Sequence, residues 1–153
     1  MSIKSRNTTI ITNRKAKFEY HIEERFEAGI VLTGTEVKSL RTGKASLQEA
    51  FCTIRKGELF IINMNIAEYA MGTYNNHEPA RERKLLLKKK EILKLKKGLD
   101  QKGLTVVPLK LYFNDRNLVK INIGLAKGKK VVDKREVIKD RENKREIERM
   151  RKY

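Results

Sequence analysis

Residues 104–126 read LTVVPLKLYFNDRNLVKINIGLA, and they decide what kind of fold this is. Two apolar, β-branched runs flank Asn114, Asp115, Arg116 and Asn117, a polar cluster of turn formers. That pattern is an antiparallel hairpin. Pro108 cannot donate to a ladder, so the first strand must lie at a sheet edge or carry a bulge there. The pattern recurs upstream. Residues 47–69, LQEAFCTIRKGELFIINMNIAEY, set two apolar runs around Arg55, Lys56, Gly57 and Glu58. Gly57 supplies the positive φ of a tight turn.

Working outward, KFEYHIEE at 17–24 alternates, with Phe18, Tyr20 and Ile22 on one side and His21 on the polar side. It reads as a half-buried strand. FEAGIVLTGTEV at 26–37 is a second β run, broken by Gly29 and Gly34, where glycines mark bulges or bends. Residues 36–44 suit a short helix or turn ending at Gly43, and 72–84 form a polar loop. LLLKKKEILKLKKGLDQKG at 85–103 is the best helix, with Ile92, Leu95 and Leu99 as its apolar stripe and lysines over the remainder. Gly98 weakens its interior, and Gly103 suits its C-terminal cap. About six strands and one main helix, without βαβ alternation, make the chain mainly β with accessory α. An OB-type small barrel with one to three helices is the expected architecture. The expected organisation is a flexible N-terminus (1–12), a body (13–126) and a basic C-terminal tail (127–153).

That tail holds 12 basic and 6 acidic side chains, net +6, with only scattered apolar residues. It cannot offset its own ordering entropy, so it is expected to be disordered alone. It lacks proline, and Asp140/Lys144 and Glu148/Lys152 are spaced for i,i+4 pairing, so it is also helix-competent.

The chain carries a formal net charge of +17 over 153 residues, which points to a polyanionic partner, nucleic acid first and anionic membrane second. No apolar run reaches the roughly 18 residues of a membrane span, and no cleavable leader is recognisable, so a cytoplasmic location without membrane contact is expected. Cys52, the lone cysteine, reads as a buried, inert thiol. Cys52 with His21 and His77 gives no metal-ligand cluster. Gly43 and Lys44 are followed by Ala45, which excludes a P-loop. No cofactor is expected. Glu36 and Asp115 are the carboxylates to weigh for a metal-dependent nuclease, and neither joins an acidic cluster. Binding is thus favoured over catalysis. The basic residues come in groups: Arg14 and Lys15 beside Asn13, then Arg81, Arg83 and Lys84, then Lys88, Lys89 and Lys90, then Lys129 and Lys130. Such groups supply phosphate contacts. Stacking residues are few, namely Tyr69, Tyr74, Tyr112 and Phe113, with the last two assigned to the core. Recognition of a folded RNA by shape fits better than reading of a single strand.

Several blocks occur in order: NRKAKFEYHIEE, FEAGIVLTGTEVKSLRTGKASL, RKLLL, GLTVVPLKLYF, IGLAKGKK and DKRE. Together they resemble the small protein B family, the SsrA-binding proteins of bacterial ribosome rescue, from Asn13 to Glu136. The resemblance implies an OB-type barrel with accessory helices. It implies a non-catalytic, monomeric adaptor that binds the tRNA-like domain of transfer-messenger RNA (SsrA). The adaptor delivers that RNA to stalled 70S ribosomes for trans-translation. The tail then enters the empty mRNA channel and reaches the small-subunit decoding centre. Glu36 matches a position that supports RNA binding, by accepting from a base edge or a 2′-hydroxyl or by pairing an arginine that shapes the site, and a purely structural ion pair is the equal alternative. Replacing it by Ala is expected to weaken RNA binding with little loss of fold. Leu86 and Lys88 match further RNA-contact positions, with Lys88 standing where an uncharged polar residue is usual. Asn13, Arg14, Lys15, Lys38, Arg81, Arg83 and Lys84 complete the RNA-binding candidates. Gly128, Lys129, Lys130, Asp133, Lys134 and Arg135 match the ribosome-binding tail, where Val132 replaces a histidine or aromatic. A basic structural protein of the ribosome is the competing reading.

Overall fold

The hairpins form where turn chemistry places them. In the computed structural model, which describes residues 9–72, 76–100, 104–129, 139 and 141–147, twelve elements follow in order. The first six are β1 (Ile10–Thr12), α1 (Arg14–Glu19), β2 (Tyr20–Ile30), α2 (Gly34–Arg41), β3 (Ala45–Ser46) and β4 (Phe51–Arg55). The others are β5 (Glu58–Ile62), β6 (Asn65–Ile66), β7 (Arg83–Leu86), α3 (Lys89–Asp100), β8 (Leu104–Phe113) and β9 (Val119–Gly128). Between β4 and β5, Lys56 and Gly57 take φ of 50° and 75°, the paired positive φ of a two-residue hairpin turn. Between β8 and β9, Asn117 takes φ of 60° while the Asn114 side chain accepts from Arg116 N–H and Leu118 N–H.

Sheet order is β1-β8-β4-β5-β7-β2-β9, and β8 also pairs with β9. The ring therefore closes through β8, β4, β5, β7, β2 and β9, a small antiparallel barrel, with β1 added outside on β8. This is the expected OB-type architecture. Its core is aliphatic, including Leu59, Ile61, Ile66, Leu85, Val106, Ile121 and Ile123.

Strand β8 is buried on both faces. Val106 and Leu111 lie in the barrel core, whereas Val107 and Leu109 pack with Ala16 of α1 on the outside. Residues five apart share a face only because the register slips between Pro108 and Lys110. The bulge demanded by Pro108 thus re-phases the strand.

Helix α3 lays Leu95 and Gly98 against the barrel. A Cβ at Gly98 would stand 2.3 Å from Leu125 Cδ2, so glycine permits the helix's approach to β9.

Several sequence expectations are corrected. Residues 10–12, expected to be loose, form β1. Residues 17–19 are helical, because Asn13 caps α1: its Oδ1 accepts from Ala16 N–H at 3.2 Å. Residues 20–30 make one strand, and Gly34 opens α2 instead of interrupting a β run. Leu85 and Leu86 belong to β7 and not to the helix, which starts at Lys89. Their alternation decides this: Arg83 and Leu85 face inward while Leu86 faces out. Strand β9 runs on to Gly128, past the expected end of the body. Gly103 and Tyr74 lie outside the described residues. Cys52 is buried as expected, and burial pushes its thiol pKa up.

Candidate nucleic-acid interface

A capping geometry starts the site. Glu36 sits in the first turn of α2, where its Oε1 accepts from Thr33 N–H at 2.8 Å. The carboxylate is 0% exposed. Its Oε1 also accepts from Arg81 Nη2 at 2.6 Å, and its Oε2 accepts from Arg83 Nε. Arg83 is likewise 0% exposed. Its Nη1 donates to Met64 O at 2.8 Å and Arg81 O at 2.9 Å, and its Nη2 donates to Pro79 O at 3.1 Å. Every strong donor and acceptor of the buried pair is therefore engaged, the condition under which a buried ion pair is tolerated. Burial by itself would raise the Glu36 carboxyl pKa. The hydrogen bonds from Arg81, Thr33 N–H and Arg83 outweigh that and hold it below the usual carboxylate range.

The pair fastens α2 and β7 to the segment between β6 and β7. His77, 6% exposed, reinforces the link. Its Nε2 donates to Ile66 O at 2.9 Å, and its Nδ1 lies 2.9 Å from the Thr35 hydroxyl. The result is a fixed shelf. Arg81 stands at its rim with the side chain 35% exposed, and its buried Nε has no partner.

Beside the shelf, Leu86 is 51% exposed. It lines a groove of about 370 Å³ with Ile30, Leu32, Val37, Leu118 and Lys120. Lys88 is exposed just beyond. Lys38, on the outer side of α2, places Nζ 5.5 Å from the Tyr69 ring centroid, so that ring is covered by a cation. Lys84 points out of β7 and pairs with Glu58 at 2.9 Å.

The structure thus brings Glu36, Lys38, Arg81, Arg83, Lys84, Leu86 and Lys88 to one region. Two of them, Glu36 and Arg83, are sealed inside it and cannot touch a ligand directly in this arrangement. Of the alternatives for Glu36, pairing with arginine is the geometry observed, and it is a buried structural ion pair whose removal strikes the interior of the protein. Asn13 is also buried, at 2% exposure, with Nδ2 donating to Leu47 O and Pro108 O at 3.1 and 2.9 Å. Arg14 and Lys15 are exposed on α1, where Lys15 pairs with Glu49 at 2.7 Å. This group shares no hydrogen bond or ion pair with the Glu36 cluster among the described residues.

Of the tail candidates, Gly128 pairs with Tyr20 and Lys129 N–H donates to Glu19 O at 2.8 Å. The tail therefore leaves the barrel beside α1. Lys130, Val132, Asp133, Lys134 and Arg135 lie outside the described residues. Residues 141–147 are helical, and the Arg141 guanidinium lies 5.9 Å from the Phe18 ring centroid. Asp115, considered with Glu36 for metal chemistry, is exposed in the β8–β9 turn. No three His, Cys, Asp or Glu side chains are grouped to hold a metal among the described residues. No helix among them is long and apolar enough to cross a membrane.

Residues 10–153 match the family described as SmpB protein. An SsrA-binding protein of Flavobacterium psychrophilum is 53% identical over 145 residues, spanning 95% of this chain and 97% of that one. One from Bifidobacterium longum is also 53% identical, covering 94% and 91%. A solved chain described as "tmRNA-SmpB: a journey to the center of the bacterial ribosome" superposes with a TM-score of 0.70 at 48% identity, over 85% of this chain and 94% of that one.

Proposed function

The chain belongs to the SmpB protein family, and from that premise we propose how its surface serves an RNA-binding adaptor. It binds transfer-messenger RNA and acts with it on ribosomes in trans-translation. The tRNA-like domain of that RNA docks on the shelf built over Glu36 and Arg83. Arg81, Lys38 and Lys88 supply cations there, and Leu86 an apolar contact. The observation that carries this reading is the buried Glu36–Arg83 pair, which presents the rim guanidinium of Arg81 in one orientation on a chain of net charge +17. A preset shape recognises folded RNA without reading a base sequence.

The action is binding and not catalysis, since both Glu36 oxygens are committed to guanidinium groups. The chain works as a monomer in the cytoplasm, where its partners are. Its C-terminal tail leaves beside α1, away from the shelf contacts, and enters the empty mRNA channel of the stalled ribosome toward the decoding centre. With Val132 in place of an aromatic or histidine, the tail's contact at that step is aliphatic and not stacked.

A titration against full-length transfer-messenger RNA tests this, with ordinary transfer RNA and duplex RNA as competitors at several salt concentrations. Preference for the transfer-messenger RNA that persists at high salt is expected. Equal, steeply salt-sensitive binding to all three would reduce the protein to an indiscriminate polycation. Truncation after Lys129 is expected to keep RNA binding and abolish tagging of stalled peptides.

A further inference from the structure

Helix α3 contributes more to the surface than its packing needs. Its inner side, through Leu95 and Gly98, lies on the barrel. Its outer arc carries Lys89, Lys90, Lys94, Lys96 and Lys97, all exposed, around Leu93, which is 58% exposed. Only Asp100, in the last turn, interrupts the positive charge on that arc. Lys94 reaches Glu24 at 3.8 Å across the surface. The other four form no ion pair among the described residues.

This arrangement works against the helix. Lys90 and Lys94 repel at i,i+4, and Lys94 and Lys97 at i,i+3. Lys88, Lys89 and Lys90 crowd the positive end of the helix dipole, where Glu91 is the only acid of the first turn. A solvated face needs no such repulsion, and mixed charges would serve solubility better. Polyanion contact removes both penalties at once.

We propose that this outer arc of α3 carries the phosphodiester backbone of the same RNA that docks on the Glu36 shelf. The proposal rests on the RNA-binding reading of that shelf. Continuity favours one RNA: β7 passes from Arg83 through exposed Leu86, and Lys88 leads directly into Lys89 and Lys90. Lys89 and Lys96, and likewise Lys90 and Lys97, stand two turns apart, about 10 Å along the axis. Their long stems reach separate phosphates, and Leu93 between them offers an apolar contact to a ribose.

The test is the salt dependence of binding to full-length transfer-messenger RNA. The Lys89→Gln, Lys90→Gln, Lys96→Gln, Lys97→Gln variant is compared with wild type and with a control that removes Arg25, Lys44, Lys56 and Lys127 in the same way. Each neutralised phosphate contributes about 0.7 to 0.9 to the slope of log affinity against log salt, so the α3 variant should be flatter by about 3. Its urea midpoint should hold or rise, because repulsion is relieved. A change of slope under about 1, or equal flattening in the control, overturns the proposal. So does loss of binding to ribosomes lacking transfer-messenger RNA with an unchanged slope on that RNA, which would assign the arc to ribosomal RNA. Arg81→Gln is measured alongside. An unflattened slope with weakened Arg81→Gln binding refutes the α3 proposal alone, whereas unaltered Arg81→Gln affinity refutes the shelf reading.

Discussion

Glu36→Ala should destabilise the fold before it says anything about RNA. The variant leaves the guanidinium of Arg83 at 0% exposure with its carboxylate partner gone. Breaking one side of a buried pair costs about 3 to 5 kcal/mol. With a urea m-value of about 2 kcal/mol/M for a small domain, the midpoint should fall by roughly 2 M. Glu36→Ala combined with Arg83→Met removes both charges and should recover much of the loss, since apolar replacement of a whole pair is often neutral. The pH dependence has a definite sign. The folded carboxyl titrates below its unfolded value of about 4.3. Its contribution is therefore complete above that value and disappears as the pH falls through the lower folded pKa. The gap between wild type and Glu36→Gln in urea melts should be full at pH 7 and close in strong acid. A midpoint shift below about 0.5 M for Glu36→Ala, or a gap that widens in acid, would refute the buried-pair account.

Other outcomes follow from the same geometry. Arg81→Gln keeps the Glu36–Arg83 pair but removes the 2.6 Å bond from Arg81 to the buried carboxylate, so the melting temperature should fall by less than in Glu36→Ala. RNA affinity, read where the variant is folded, drops by about 10- to 100-fold, the loss of one charge-assisted contact of roughly 1.5 to 3 kcal/mol. Gly98→Ala would stabilise an isolated helix by about 1 kcal/mol. In this protein the new Cβ meets Leu125, so the melting temperature should fall instead, and a rise would show that Leu125 yields freely. The Cys52 thiol should resist disulfide reagents at pH 8 in the native state and react once urea exposes it; immediate native labelling would contradict its burial.

The elements legible in the sequence were those decided by neighbours. Gly57, Asn117 and the bulge at Pro108 each act within a few residues, so both hairpins, and the barrel they imply, could be read directly. What escaped depended on distant partners. Residues 17–19 alternate like a strand, but Asn13 fixes them as helix through carbonyls 34 and 95 positions away. The leucines at 85 and 86 suit a helix until Arg83 finds Glu36, 47 positions earlier, and locks the segment into β7. For the candidate site, the basic grouping picked out residues that the structure gathers into one region. It could not tell which charges are exposed and which are sealed beneath, because that depends on pairing. Arg81 and Arg83 look alike in sequence and lie on opposite sides of that divide.

Strand β2 joins the two working ends of the molecule. Tyr20 pairs with Gly128, where the tail departs, and Gly29 pairs with Leu86, at the edge of the shelf. The nine steps from Tyr20 to Gly29 include a one-residue bulge between Ile22 and Glu24 and lie opposite eight steps of β9, Gly128 to Lys120, a span of about 26 Å. On the proposed function the strand is a ruler: it fixes how far from its docked RNA the protein can plant its tail. Inserting or deleting two residues would change that span by roughly 7 Å while keeping the same side chains inward. A single residue would turn the strand's inner face outward unless a bulge absorbed it, as one does between Ile22 and Glu24. On the proposed function, the barrel therefore sets the distance between the two partners, and a barrel is a stiffer gauge than any linker.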